Sequence, residues 1–126
     1  MTVAPSIPTS FTEHHVEADG FQIRYLKSGN GPPLVHFHGA GGLRLTPAHA
    51  LLAERFCVLA FELPGFGSSP VNDRSASIRD LARTMAEAVA TLGLDSYNLL
   101  GTSFGGRLAL RLAVEWPTRL AALVGG

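Results

Sequence analysis

Apolar and polar residues alternate in two short runs, "FTEHHVEA" (11–18) and "FQIRYLK" (21–27), with Asp19-Gly20 between them. Period-two alternation turns one face of a strand toward a core. Asp-Gly readily adopts the positive φ angles of a two-residue turn. The pair predicts an antiparallel hairpin. After the turn cluster "SGNGPP", the run "LVHFHG" predicts a third strand. The glycine-rich "GAGGLRLTP" then leads to a short helix over about Ala48–Glu54. "FCVLAFE" is continuously apolar, as expected of a strand covered on both faces.

A loop, "LPGFGSSP", precedes the clearest helix. Ser77 and Asp80 resemble a capping box with Asp in place of Glu. Ile78, Leu81, Met85, Val89 and Leu92 follow at helical spacing, and Gly93 is placed to end the run. "YNLLG" predicts a fifth strand, and Gly105–Glu115 a helix with Leu108, Leu112 and Trp116 along one face. Pro117 closes that helix, because the residue before a proline is pushed out of the helical region. "LAALVG" predicts a sixth strand. The fold class is α/β: a mostly parallel sheet of about six strands with an antiparallel N-terminal hairpin and helices on both faces. Residues 1–10, rich in Pro, Ser and Thr, read as a flexible tail, and 11–126 as one domain.

Composition narrows the function classes. The chain has 126 residues, 46% of them hydrophobic, and Lys+Arg equals Asp+Glu at ten each. No net field favours nucleic acid or an anionic membrane. A single cysteine, Cys57 in "RFCVLAF", excludes a disulfide framework and reads as a buried, inert thiol. No run approaches the roughly eighteen apolar residues that span a bilayer. The opening stretch has no basic and apolar signal-peptide regions. A soluble, cytoplasmic protein with no nucleic-acid or membrane partner is the default expectation.

Candidate chemistry centres on "NLLGTSFGGRLALRL", Asn98–Leu112. G-x-S-x-G should arise by chance in roughly 4% of chains this long, so its context matters. An apolar strand precedes it and a helix follows, which is the grammar of a nucleophile elbow. Gly101 and Gly105 remove side chains where strand and helix approach each other. Ser103 is the candidate nucleophile; the structural alternative is a serine that merely caps a helix. Acyl transfer develops negative charge on the former carbonyl oxygen, which needs backbone N–H donors in place. Phe104 supplies one candidate amide. The loop in "HFHGAGG" (36–42) offers Ala40 first and Gly41 next, with His38 and Gly39 shaping it.

His36 and His38, at i and i+2, also invite a zinc reading. No further Asp-His or Cys/His cluster supports it, so a buried, hydrogen-bonded histidine is favoured. His14 and His15 cannot both point inward. His49 falls in what reads as a short surface helix. No glycine loop matches a phosphate cradle.

Together, "HFHGAGG", "FELPGFGSS", "LLGTSFGG" and the closing "EWPTRLAALVGG" resemble the α/β-hydrolase fold superfamily over about residues 11–126. The resemblance implies Ser103 as nucleophile and the amides of Phe104 and Ala40 as oxyanion hole. Serine, rather than aspartate, argues against the dehalogenase and epoxide hydrolase branches. Glu62 stands where such relatives often carry aspartate, with a loop-organising role. In that family the acid and histidine follow the nucleophile, and here no histidine or aspartate does; the cap is missing too. Glu115, the only acid beyond Ser103, would lie roughly 15 Å away along the helix. The resemblance implies a fragment holding the N-terminal part of a serine hydrolase that needs no cofactor and takes a small-molecule acyl or carbonyl substrate, at an ester, thioester, amide or C–C bond beside the carbonyl. A non-catalytic binding or assembly module derived from a hydrolase is the alternative.

Overall fold

Alternation in the first two runs pairs them as antiparallel strands, β1 (Thr12–Ala18) and β2 (Phe21–Ser28). At the turn between them, Asp19 and Gly20 both take positive φ, 52° and 83°. These are the signs of the type I′ turn that matches strand twist. The computed structural model describes residues 10–65, 78–94, 96–117 and 120–125. Residues 1–9 of the expected 1–10 tail, the Ser77 cap and the distal half of "FELPGFGSS" lie outside the described residues.

The chain then runs through β3 (Pro33–Phe37), α1 (Pro47–Leu52), β4 (Cys57–Phe61), α2 (Ile78–Thr91), β5 (Tyr97–Gly101), α3 (Phe104–Glu115) and β6 (Leu120–Gly125). The strands form one sheet in the order β1-β2-β4-β3-β5-β6. The β4, β3, β5 and β6 neighbours are parallel, and β2 meets β4 antiparallel. The α/β architecture expected from the alternation is therefore the one observed. Several boundaries differ by a residue or two, and two of these shifts have an identifiable cause. Pro47 opens α1 one residue early, because its fixed φ suits a first helical position. α3 begins at Phe104, immediately after Ser103.

Successive strand residues divide the core between two faces. Val35, Phe37, Leu59, Phe61 and Leu99 pack with Met85 of α2 and Leu108 and Leu112 of α3. Leu34, Val58 and Ala60 face the other way, with Leu45 and Leu52 from the α1 side. The hairpin tip is tied to α2. Asp19 donates its N–H to Glu87, and its carboxylate accepts from Thr84 Oγ1 (2.8 Å) and Arg83.

Register sets where chemistry can occur. Phe37 lies opposite both Phe61 and Gly101, so the three parallel strands end level. The segments following β3, β4 and β5 leave from one edge, the carboxyl end, where open α/β sheets bind ligands.

Candidate active site

Ser103 joins β5 to α3 with φ 55° and ψ −116°. A non-glycine residue in this region costs on the order of 1–3 kcal/mol and persists only where its surroundings fix it. Glycines provide the fixing. A Cβ on Gly101 would overlap the Gly105 carbonyl and lie 2.6 Å from Gly106 Cα. One on Gly105 would overlap the Phe37 carbonyl and lie 2.5 Å from that of His38. Only glycine lets α3 start this close to β3 and β5. The Ser103 side chain makes no capping hydrogen bond, unlike an ordinary helix N-cap serine, and the residue is exposed.

The first N–H groups of a helix have no intrahelical partner. In α3, Gly105 N–H returns to the Thr102 carbonyl (2.9 Å), and those of Gly106 and Arg107 return to the Ser103 carbonyl. Phe104 N–H makes no such return bond. Across from it, Gly42 N–H donates to the Gly39 carbonyl (3.1 Å), closing a turn whose central amides belong to Ala40 and Gly41. Gly39 lies against the elbow: a Cβ there would sit 3.3 Å from Ser103 Cβ and 3.9 Å from its Oγ. The residues singled out from sequence thus converge at the carboxyl edge.

His38 ties this loop to the next one. Its Nδ1–H donates to the Gly39 carbonyl (2.6 Å), and its Nε2 accepts the Leu63 N–H (3.0 Å). These partners fix one neutral tautomer. Burial holds the His38 pKa below the ordinary histidine value, against the opposing pull of the Gly39 carbonyl and of Glu62. The Glu62 carboxylate, itself buried, lies 3.4 Å from Arg24 Nη1.

His36 and His38 do not act together. His36 turns to the α1 side, where its Nδ1 is 3.2 Å from His49 Nε2 and its Nε2 is 3.3 Å from Thr102 Oγ1. His49 Nδ1 accepts the Thr46 N–H at 3.0 Å. His49 is therefore buried, not on the surface as its short helix led one to expect. The signal was present in "TPAH": threonine at the N-cap, proline at the first helical position, and a third-position side chain that can return to the cap N–H. Histidine replaces the usual Glu or Gln of that box. Burial first, then the neighbouring His49 and His38, lower the His36 pKa to about 4. A cavity of about 320 Å³ opens beside these side chains, lined by His36, His38, His49, Thr46, Leu100 and Thr102 among others.

Among the described residues, no group of three or more His, Cys, Asp or Glu is placed to hold a metal ion. No described helix is long and apolar enough to cross a membrane. Glu115 is engaged by Arg79 (2.7 Å) and Arg111 (3.2 Å) at the far end of α3. Cys57 is half-buried, less enclosed than its apolar run implied.

The chain is similar to proteins of differing chemistry. It is 37% identical over 99 residues to a pimeloyl-[acyl-carrier protein] methyl ester esterase of Aeromonas hydrophila, covering 76% of this chain and 37% of that one. It is 32% identical over 114 residues to the dihydrolipoyllysine-residue acetyltransferase component of the acetoin cleaving system of Cupriavidus necator (85% and 29%). The solved structure of the epoxide hydrolase CorEH superimposes with a TM-score of 0.80 at 30% identity (91% and 41%). The chain spans well under half the length of each. The family model for the alpha/beta hydrolase fold matches residues 32–125. With that match over most of the sequence, and the sheet order and elbow described above, the chain belongs to the alpha/beta hydrolase fold family.

Proposed function

We propose that this chain carries the nucleophile and oxyanion-stabilising half of a serine hydrolase site. Its substrates are esters, thioesters, amides or ketones cleaved at the bond beside the carbonyl. Ser103 Oγ attacks the carbonyl carbon, and its proton passes to a general base. The tetrahedral oxyanion is met by the N–H groups of Phe104 and Ala40. Collapse expels the leaving group to give an acyl-serine, which water hydrolyses to the carboxylic acid and free Ser103. One observation carries this reading: an exposed serine without a capping bond, at φ 55°, between two glycines whose replacement would overlap backbone.

The carboxylate nucleophile that epoxide opening uses in this family has no counterpart at position 103. The similarity to an epoxide hydrolase therefore bears on fold, and the esterase is the nearer guide to chemistry. All five histidines precede Ser103 in the sequence, and each of His36, His38 and His49 has its ring nitrogens engaged by groups other than Ser103. None of these three imidazoles is therefore placed as the general base of Ser103. Loss of the base typically costs on the order of a millionfold in turnover.

Two measurements test the reading. An alkyl trifluoromethyl ketone has a carbonyl electrophilic enough to trap a poorly activated serine. Its ¹⁹F spectrum should show a hemiketal with the chain and none with Ser103→Ala; identical spectra would refute the nucleophile. Short acyl p-nitrophenyl esters should show no Ser103-dependent turnover by the 126-residue chain. Turnover abolished by Ser103→Ala would mean that a base is recruited from within the chain or from a second copy.

A further inference from the structure

We propose that His49 and His36 are positioning residues. With Thr46 and Thr102 they form a hydrogen-bonded relay that holds the far end of the oxyanion loop at a set distance from Ser103. The catalytic meaning of that distance rests on the reading of Ser103 given above; the relay itself does not.

The direction of each bond follows from its fixed end. Thr46 N–H can only donate, so His49 Nδ1 accepts, and the proton of the neutral ring is on Nε2. His49 Nε2–H then donates to His36 Nδ1, which leaves His36 Nε2–H to donate to Thr102 Oγ1. Thr102 is the residue before Ser103. Its own N–H is bound to the Phe37 carbonyl (3.1 Å), and its carbonyl accepts from Gly105. The relay thus runs from the N-cap of α1, across β3, to the residue that opens the elbow.

Such a tie matters because the glycine-rich tip of the loop has little packing of its own, although Leu43 and Leu45 pack beyond it. A Cβ on Gly41 or Gly42 would meet no atom within 4 Å. A segment unpacked in its middle takes its position from its ends. His38 fixes the Gly39 end, to Leu63 of the loop after β4. His49, together with the buried Leu45, fixes the Thr46 end. Burying two imidazoles costs solvation that an apolar pair would not, yet no buried side-chain nitrogen or oxygen among the described residues lacks a partner. Directional bonds specify a distance more sharply than apolar contact. Near Ser103, an ångström of displacement is worth on the order of a hundredfold in rate.

The first experiment is ¹⁵N NMR of the histidine rings in the unmodified chain near neutral pH. Protons on Nε2 of both His36 and His49, and on Nδ1 of His38, are expected. A Nδ1–H tautomer at His36 would overturn the relay without any variant, and whether or not Ser103 adds to a ketone.

The second is a cycle of His49→Leu and Thr102→Val, read as the dissociation constant of the trifluoromethyl ketone adduct. These two side chains are connected through His36, so either cut severs the same tie. Each single variant should weaken the adduct about tenfold, and the double variant should lose no more than about tenfold in total. A hundredfold loss in the double variant would show independent effects and overturn the proposal. His49→Gln can still accept from Thr46 and donate to His36, and should keep the affinity within about threefold; loss equal to that of His49→Leu would also overturn it. Absence of any adduct in the unmodified chain, with the expected tautomers present, would refute the reading of Ser103 and leave the relay standing.

Discussion

At the scale of single residues, protonation of His36 is the most measurable consequence of burial. An unfolded histidine titrates near about 6.5, whereas His36 in the fold titrates at about 4, mainly because burial disfavours its charge. The unfolded chain therefore binds more protons between those values. The contribution is complete above about pH 6.5, falls as the pH drops toward 4, and changes no further below it. Its size is about 3 kcal/mol. His38 and His49 are shifted in the same direction by burial. Urea midpoints should fall between pH 7 and 4, and His36→Gln should remove much of that slope. An unchanged slope would place the acid sensitivity elsewhere. Glu13 and Glu115, pulled below the usual carboxylate range by arginine partners, act only in more acid solution. Ser103 and its glycines were legible because an elbow is a local pattern. His49 was not, because its partner His36 is 13 residues away and a six-residue helix carries too little periodicity to reveal a buried side.

At the scale of elements, the tightest constraint is the crossing of α3 over the ends of β3 and β5. Gly105→Ala would drive a methyl group into the Phe37 carbonyl, backbone that neither strand nor helix can yield cheaply. A loss of at least about 3 kcal/mol is expected, measured by urea denaturation. Gly41→Ala, with open space around its Cβ, should stay within about 0.5 kcal/mol. Equal effects would mean that the crossing is looser than described. Every element was legible from periodicity and turn residues, with ends moved by only a few positions. Pro47 and the Ser103 turn account for two of those shifts. What periodicity could not give was the side of the sheet each helix takes. The hydrophobic stripe of α2 reads the same whether it covers Met85's neighbours in β4 or those of Val58 on the opposite face.

For the whole molecule, the distribution of apolar surface matters more than its amount. Leu110 and Val114 stand on the outer face of α3, 56% and 68% exposed, and Val124 of β6 is 58% exposed. β6 is an edge of the sheet and contains neither charge nor proline to discourage pairing. The 126-residue chain is expected to self-associate as concentration rises, by light scattering, and Val124→Lys should suppress this. A monodisperse monomer at high concentration would show that these faces are harmless. Asp19 adds a constraint of another kind. Its partner Glu87 lies 68 residues further along the chain. During synthesis at about 5–20 residues per second, the hairpin is made roughly 3 to 14 s before α2 can receive it. For that interval the hairpin lacks the helix that later lies against β1, whether or not β4 has already joined β2.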